Sequence, residues 1–156
     1  MLQEYRQAIG CDIDELVNEI TRLAKSISKE VKVLRRVKDS DILRRKMVLK
    51  GAKSIFEIDD VYGLRILTSS VEKAYMILHS VMNEYPSTLD HDYIANPKVN
   101  PEKPHLKRES LRMLQVILYK NKVPFEVQIT TFRFNEINES FHEQYHRKRY
   151  GQVMKI

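Results

Sequence analysis

The chain has 156 residues, 42% of them hydrophobic and 31% charged, with 27 Lys and Arg against 21 Asp and Glu for a net charge of +6. That length suits one domain with its own core, and the surplus of cations favours anionic partners such as nucleotides or nucleic acid. A single cysteine, Cys11, excludes an internal disulfide framework and a cysteine zinc site, and no apolar run approaches the roughly 18 residues of a membrane span.

Asp12-Ile13-Asp14-Glu15 reads as a helix start, a capping aspartate with a glutamate three residues on. Ile13, Leu16, Val17, Ile20, Leu23, Ala24, Ile27, Val31 and Leu34 follow at helical spacing, so a long amphipathic helix is expected from about 12 to 35. Asp39 or Ser40 caps a second helix that runs to Lys50 and stops at Gly51. Val61 to Thr68, rich in branched residues, predicts a strand. Ser69 and Glu72 suggest another capping box, opening a helix with Val71, Ala74, Tyr75, Leu78 and Met82 inward. Residues 84–110, broken by Pro86, Pro97, Pro101 and Pro104, are expected to form a long loop. Leu114 to Tyr119 and Val123 to Thr130 predict a hairpin turning at Lys120-Asn121-Lys122, and Phe132 to Tyr150 a polar helix. This order gives an α+β domain over residues 1–156, a small mixed, mostly antiparallel sheet flanked by helices.

Two acids stand on predicted neighbouring strands, Asp60 before Val61-Tyr62-Gly63-Leu64-Arg65 and Glu126 in Pro124-Phe125-Glu126-Val127-Gln128. An acid in an apolar strand is costly to bury unless it is paired, and in so basic a chain the two suggest a metal ion and a polyphosphate. Alternation puts Asp60, Tyr62 and Leu64 on one strand face and Gly63 and Arg65 on the other, while Glu126 and Gln128 share a face. Arg36 and Lys38 precede the second helix and Lys46 lies about two turns into it; fixed cations and free amides at a helix start suit phosphate, with scattered charge on a solvated face as the bland alternative. Tyr93 and Lys98 offer a base-stacking ring and a phosphate-binding cation, or belong to an ordinary proline-bearing loop. His142 and His146 share a helix face but lack an evident third ligand, which argues against zinc. There is no Walker lysine loop, no G-x-G-x-x-G and no G-x-S-x-G turn.

From about Val33 to Tyr150 these segments resemble the synthetase domain of the RelA/SpoT family, the makers of guanosine tetra- and pentaphosphate. The resemblance is carried by Arg36-Val37-Lys38 with Lys46-Met47, by Asp60-x-x-Gly63-Leu64-Arg65-Ile66, by Asp92-Tyr93-Ile94-Ala95-x-Pro97-Lys98-x-Asn100 and by Glu126-Val127-Gln128-Ile129-x-Thr131. It implies a nucleotidyltransferase-like fold and transfer of the ATP β,γ-pyrophosphate to the ribose 3′-hydroxyl of GDP or GTP. Arg36, Lys38 and Lys46 would then bind ATP, Asp60 would hold Mg2+, and Glu126 would hold metal or take the hydroxyl proton. Tyr93, Lys98, Arg108, Arg112 and Gln128 would face the acceptor and its phosphates.

The acceptor loop departs from the family. There the Pro-Lys-x-Asn stretch runs on into Gly-Tyr-Gln-Ser-Leu-His, whose tyrosine stacks on guanine. Here Asn100 is followed by Pro101-Glu102-Lys103-Pro104-His105, and the nearest echo is Lys107-Arg108-Glu109-Ser110-Leu111-Arg112. Arg108 stands where the tyrosine would be and Arg112 where the histidine would be; Thr130 replaces an arginine and Ile42 a serine. A nucleotide-binding module without turnover, and pyrophosphorylation of the tRNA 3′ end using the basic 98–112 region, are the alternatives to alarmone synthesis. A cytoplasmic protein with no membrane partner is expected, with a homo-oligomer as a further expectation; the small synthetases usually assemble tetramers through extra C-terminal helices, which a chain stopping at Ile156 is expected to lack.

Overall fold

Residues 31–37 form a strand, not the last turns of a helix. The computed structural model describes residues 2–37 and 62–139, with side chains from 13–36 and 63–139. In it, α1 spans Leu2–Ile27, running through the start expected at Asp12, and β1 spans Val31–Val37. The helix buries Ile13, Leu16, Ile20 and Ala24 as its periodicity predicts. It stops at Ile27, whose carbonyl accepts a bond from Lys73 Nζ at 3.2 Å. Next to it, Ser28 is buried, and its Oγ accepts from Thr68 Oγ1 at 2.9 Å. The chain then re-enters as an extended run in which Val31 and Val33 pack on the core. Branched residues favour that pleated setting, so the helical positions of Val31 and Leu34 are a coincidence of spacing.

The second strand, β2, covers Tyr62–Thr68, close to the predicted limits. The next helix, α2, covers Val71–Glu84 and is capped one residue later than the sequence suggests. Ser70 Oγ accepts from Lys73 N at 3.2 Å, so Glu72 is out of frame for a reciprocal box. Ala74, Ile77, Leu78 and Val81 are its buried residues; Val71 lies exposed.

The predicted loop contains an edge strand, β3, at Ser87–Asp92. Its residues are mostly exposed and its pairing is irregular between Leu89 and His91, so no alternation marks it in sequence. The predicted hairpin is present as β4 (Leu114–Lys120) and β5 (Val123–Thr131). It turns through Asn121 and Lys122, with φ of 52° and 67°. Residues 132–139 are helical, opened by Thr131, whose Oγ1 accepts from Phe134 N at 3.0 Å. The predicted helix of residues 39–50, Asp60, Lys38, Lys46 and the histidine pair lie outside the described residues.

The strands form one five-stranded sheet in the order β1-β2-β5-β4-β3. The central β2–β5 pair is parallel and the other pairs are antiparallel. Helices α1 and α2 supply Leu16, Ile20, Ile77 and Val81 to a core with Leu64, Ile66, Val116, Phe125, Val127 and Ile129. Burying each such side chain is worth about 1.5–3 kcal/mol. This fills one face of the sheet. The other face therefore carries the alternate residues of every strand, and it is there that the polar motifs meet.

Candidate active site on the second face of the sheet

Register aligns the residues of this second face in rungs. Arg36 on β1 pairs with Gly63 on β2, Gly63 with Glu126 on β5, and Glu126 with Ile117 on β4. The next rung reads Leu34, Arg65, Gln128, Gln115 and His91. The predicted alternation holds: Leu64 enters the core while Gly63 and Arg65 share the face of Glu126 and Gln128.

Gly63 explains itself by space. A Cβ there would sit 3.1 Å from the backbone oxygen of Glu126 and 3.8 Å from Arg36 Cβ. Gly63 thus adds no side chain of its own to the rung between Arg36 and Glu126.

Glu126 is half-buried, and its Oε1 accepts from Gln128 Nε2 at 2.7 Å. Gln128 is buried and its Oε1 accepts from Arg65 Nε at 2.9 Å. Arg65 Nη1 donates to Asn135 Oδ1 at 3.2 Å and pairs with Glu139. Sequence reading places Arg65 in a motif without giving it a role, and it misses Asn135 and Glu139. Their spacing of four on a predicted helix is the available signal.

Of the predicted acceptor-side residues, Gln128 stands on the central β5, whereas Tyr93 and Lys98 lie nearer the β3 edge. Tyr93 N donates to Met113 O at 2.9 Å, and the ring packs with Met113 and Leu111 in a small second cluster. The same ring stacks on His91 with centroids 4.6 Å apart, and Lys98 Nζ lies 5.9 Å from its centroid. Asp92 anchors this corner by accepting from Ile94 N, Ala95 N and the Tyr75 hydroxyl at 3.0, 2.9 and 2.7 Å. Burial, then the bond to Asp92, pushes the Tyr75 phenol up to about 12.

The rewritten loop is closed upon itself. Lys98 and Leu111 form an isolated bridge, and Asn100, buried, accepts from Glu102 N at 2.9 Å. Arg108 lies exposed in a 3-10 turn at Lys107–Glu109. The Arg112 guanidinium donates to the carbonyls of Lys107, Ser110 and Arg108 at 2.9, 3.4 and 3.4 Å and lies 5.7 Å from the Phe134 ring centroid. The Arg112 carbonyl accepts from Thr130 Oγ1 and Asn138 Nδ2 at 2.7 and 2.8 Å, and its N–H donates to Asn138 Oδ1 at 3.0 Å. Asn138 is fully buried, and no motif in the sequence singles it out.

A separate groove of about 460 Å³ runs between α1 and α2, lined by residues that include Glu19, Arg22, Asn83 and Tyr85. It lies on the helical side, and none of the predicted site residues lines it.

The described residues thus form an α+β domain with helices on one sheet face and Glu126, Arg36, Arg65 and Gly63 on the other. The family description "Region found in RelA / SpoT proteins" matches residues 35–151, and the chain belongs to that family. It is 34% identical over 139 residues to a guanosine-3′,5′-bis(diphosphate) 3′-pyrophosphohydrolase of Spiroplasma citri, covering 88% of this chain and 17% of that protein. A chloroplastic probable GTP diphosphokinase of Arabidopsis thaliana is 36% identical over 87 residues, 54% of this chain and 11% of that protein. The chain thus spans only 17% and 11% of these curated relatives. Among solved structures, the Bacillus subtilis small alarmone synthetase 1 bound to its product pppGpp superposes with a TM-score of 0.70 at 18% identity, over 96% of this chain and 81% of that one. A GTP pyrophosphokinase family protein from Streptococcus pneumoniae gives a TM-score of 0.72 at 18% identity, over 96% and 78%. These likenesses establish the fold.

Proposed function

We propose that this chain is a pyrophosphotransferase that moves the β,γ-pyrophosphate of ATP to the 3′-hydroxyl of GDP or GTP. The observation that carries the reading is the Arg36–Gly63–Glu126 rung, which aligns the strand positions of a cation and a half-buried carboxylate across a glycine within the family-matched segment. In the reaction the acceptor oxygen bonds to the β-phosphorus, the bond from that phosphorus to the α-phosphate bridge breaks, and AMP leaves. Arg36, with Lys38 and Lys46, holds the donor phosphates. Glu126 takes the hydroxyl proton or holds the metal.

Magnesium takes one or two carboxylates plus phosphate and water oxygens. Among the described residues no cluster of three metal-ligating side chains exists. A lone Glu126 carboxylate on the rung fits an ion that draws most ligands from a polyphosphate, with Asp60 as the second protein ligand. When bound, magnesium would neutralise charge on the transferring group. The acceptor's base would be read at the Tyr93–Lys98 corner, with Arg108 and Arg112 nearby in the chain.

The closed state of the rewritten loop favours a second reading, nucleotide binding without turnover. Arg112 already satisfies backbone carbonyls and faces Phe134 instead of being held out for a ligand. One experiment separates the readings. Purified protein is incubated with magnesium and ATP labelled at the β-phosphate, with GDP, GTP or tRNA offered in turn, beside Glu126→Gln. A 3′-pyrophosphorylated nucleotide that disappears in the variant supports the proposal. Labelled tRNA moves the acceptor to RNA. Calorimetric binding of ATP and GDP with no product from any acceptor replaces the proposal with the binding module.

A further inference from the structure

Arg65 is only 7% exposed although it carries a full charge. A buried cation is costly unless its donors are satisfied, and here Gln128, Asn135 and Glu139 satisfy them. Arginine has donors and no acceptor. Gln128 must therefore turn its carbonyl oxygen towards Arg65, which aims its amide nitrogen along the strand at Glu126. The observed bonds, 2.9 Å from Arg65 Nε to Gln128 Oε1 and 2.7 Å from Gln128 Nε2 to Glu126 Oε1, have that polarity. A directed chain of side chains thus runs from residues 132–139 to the carboxylate that the proposed reaction needs.

We propose that Arg65 is a positioning residue for Glu126, acting through Gln128 and fixed in place by Asn135 and Glu139. This rests on the pyrophosphotransfer reading, in which Glu126 is the catalytic carboxylate. The chain explains why the strand carries Gln at position 128: an amide is a side chain that can accept from Arg65 at one end and donate to Glu126 at the other. If Arg65 served only to fasten the helical segment to the sheet, the Glu126 end of the chain would be irrelevant.

Gln128→Glu separates the two roles. It keeps an acceptor for Arg65, so the fastening survives, but it removes the donor to Glu126 and sets a second carboxylate beside it. Positioning predicts a fall in kcat of about 10- to 100-fold with the KM for ATP little changed. It also predicts that in Arg65→Met the Gln128 side-chain amide protons, assigned by their loss in Gln128→Glu, lose their bond to Glu126 and exchange faster with water than in the parent. Arg65→Met should lower kcat in the same way, and Arg65→Lys, which cannot reach all three partners, should recover only part of it. A Gln128→Glu protein with an unchanged melting temperature and parental kcat, beside an Arg65→Met protein whose Gln128 side-chain amide exchanges as in the parent, overturns the inference. If the parent transfers pyrophosphate to no acceptor, the reaction is lost but the exchange of the Gln128 side-chain amide in Arg65→Met still decides the relay. If the parent is active and Glu126→Gln remains fully active, Glu126 is not catalytic and both proposals fall.

Discussion

Lys120 Nζ lies 2.8 Å from Glu19 Oε2, tying the turn of the β4–β5 hairpin to the middle of α1. The same carboxylate accepts from the Tyr85 hydroxyl at 2.7 Å, just past the end of α2. One acid therefore joins the hairpin and both helices. The bond from Lys120, then the one from Tyr85, holds the Glu19 carboxyl below the usual carboxylate range against a weaker opposing push from burial. The unfolded chain binds the proton at higher pH than the native one. The stability from Glu19 is thus present above the ordinary glutamate value of 4.5 and is lost as pH falls through the lower folded value. Urea unfolding of Glu19→Gln should show a loss of about 1–3 kcal/mol at neutral pH that shrinks as both proteins are acidified. An unchanged difference across the acid range would contradict this account.

The hairpin turn itself holds a correctable strain. Asn121 and Lys122 both have positive φ, as a two-residue primed turn requires. Asparagine tolerates this region, whereas lysine carries a Cβ that crowds the following carbonyl. Lys122→Gly should raise stability by about 0.5–1 kcal/mol, the strain relief exceeding the added unfolded-state entropy. The denaturant midpoint measures it, with an unchanged m-value showing that the folded state is otherwise kept.

What could be read from the sequence follows from where the information is local. The hairpin announces itself by two branched runs and a short polar gap, and α2 by its apolar spacing. β1 is hidden because Val31 and Leu34 continue the helical period of α1 by accident. What ends the helix is non-local, with Lys73 and Thr68 meeting residues 27 and 28 from across the fold. β3 is hidden because an exposed edge strand such as Ser87–Asp92 has no buried set to alternate. For the site, the pairs Gly63 with Arg65 and Glu126 with Gln128 are legible from the period of two; that both pairs share one face is set by the β2–β5 register, and Asn135, Asn138 and Glu139 join only through tertiary docking.

Gly63 should be intolerant of the smallest side chain. A methyl carbon at this position would lie 3.1 Å from the backbone oxygen of Glu126, in the parallel pair at the centre of the sheet. A backbone atom cannot rotate away as a flexible side chain can. Gly63→Ala should therefore press β2 from β5, costing about 1–3 kcal/mol. Because the displaced atom belongs to Glu126, the variant should also lose a larger fraction of kcat than of ATP affinity. Thermal melting and steady-state kinetics read the two effects, and a variant of parental stability and kcat would show that the strands accommodate the methyl.

Asn138 clamps Arg112 from both sides, donating Nδ2–H to its carbonyl at 2.8 Å and accepting its N–H at 3.0 Å. With Asn138 fully buried, removal leaves the Arg112 N–H unpaired, while its carbonyl retains Thr130. Asn138→Ala should cost about 1–3 kcal/mol, the penalty for a buried polar group without a partner. Its reach is predictable, because Arg112 also gathers the carbonyls of Lys107, Arg108 and Ser110 and faces Phe134. Amide exchange should accelerate at Arg112 and at Ser110, whose N–H bonds Lys107 O at 3.1 Å within that turn. Exchange at Val127 and Ile129, in the core on the opposite sheet face, should change only by the global loss of stability. Uniform acceleration throughout the chain would mean that Asn138 supports the whole domain and not this loop.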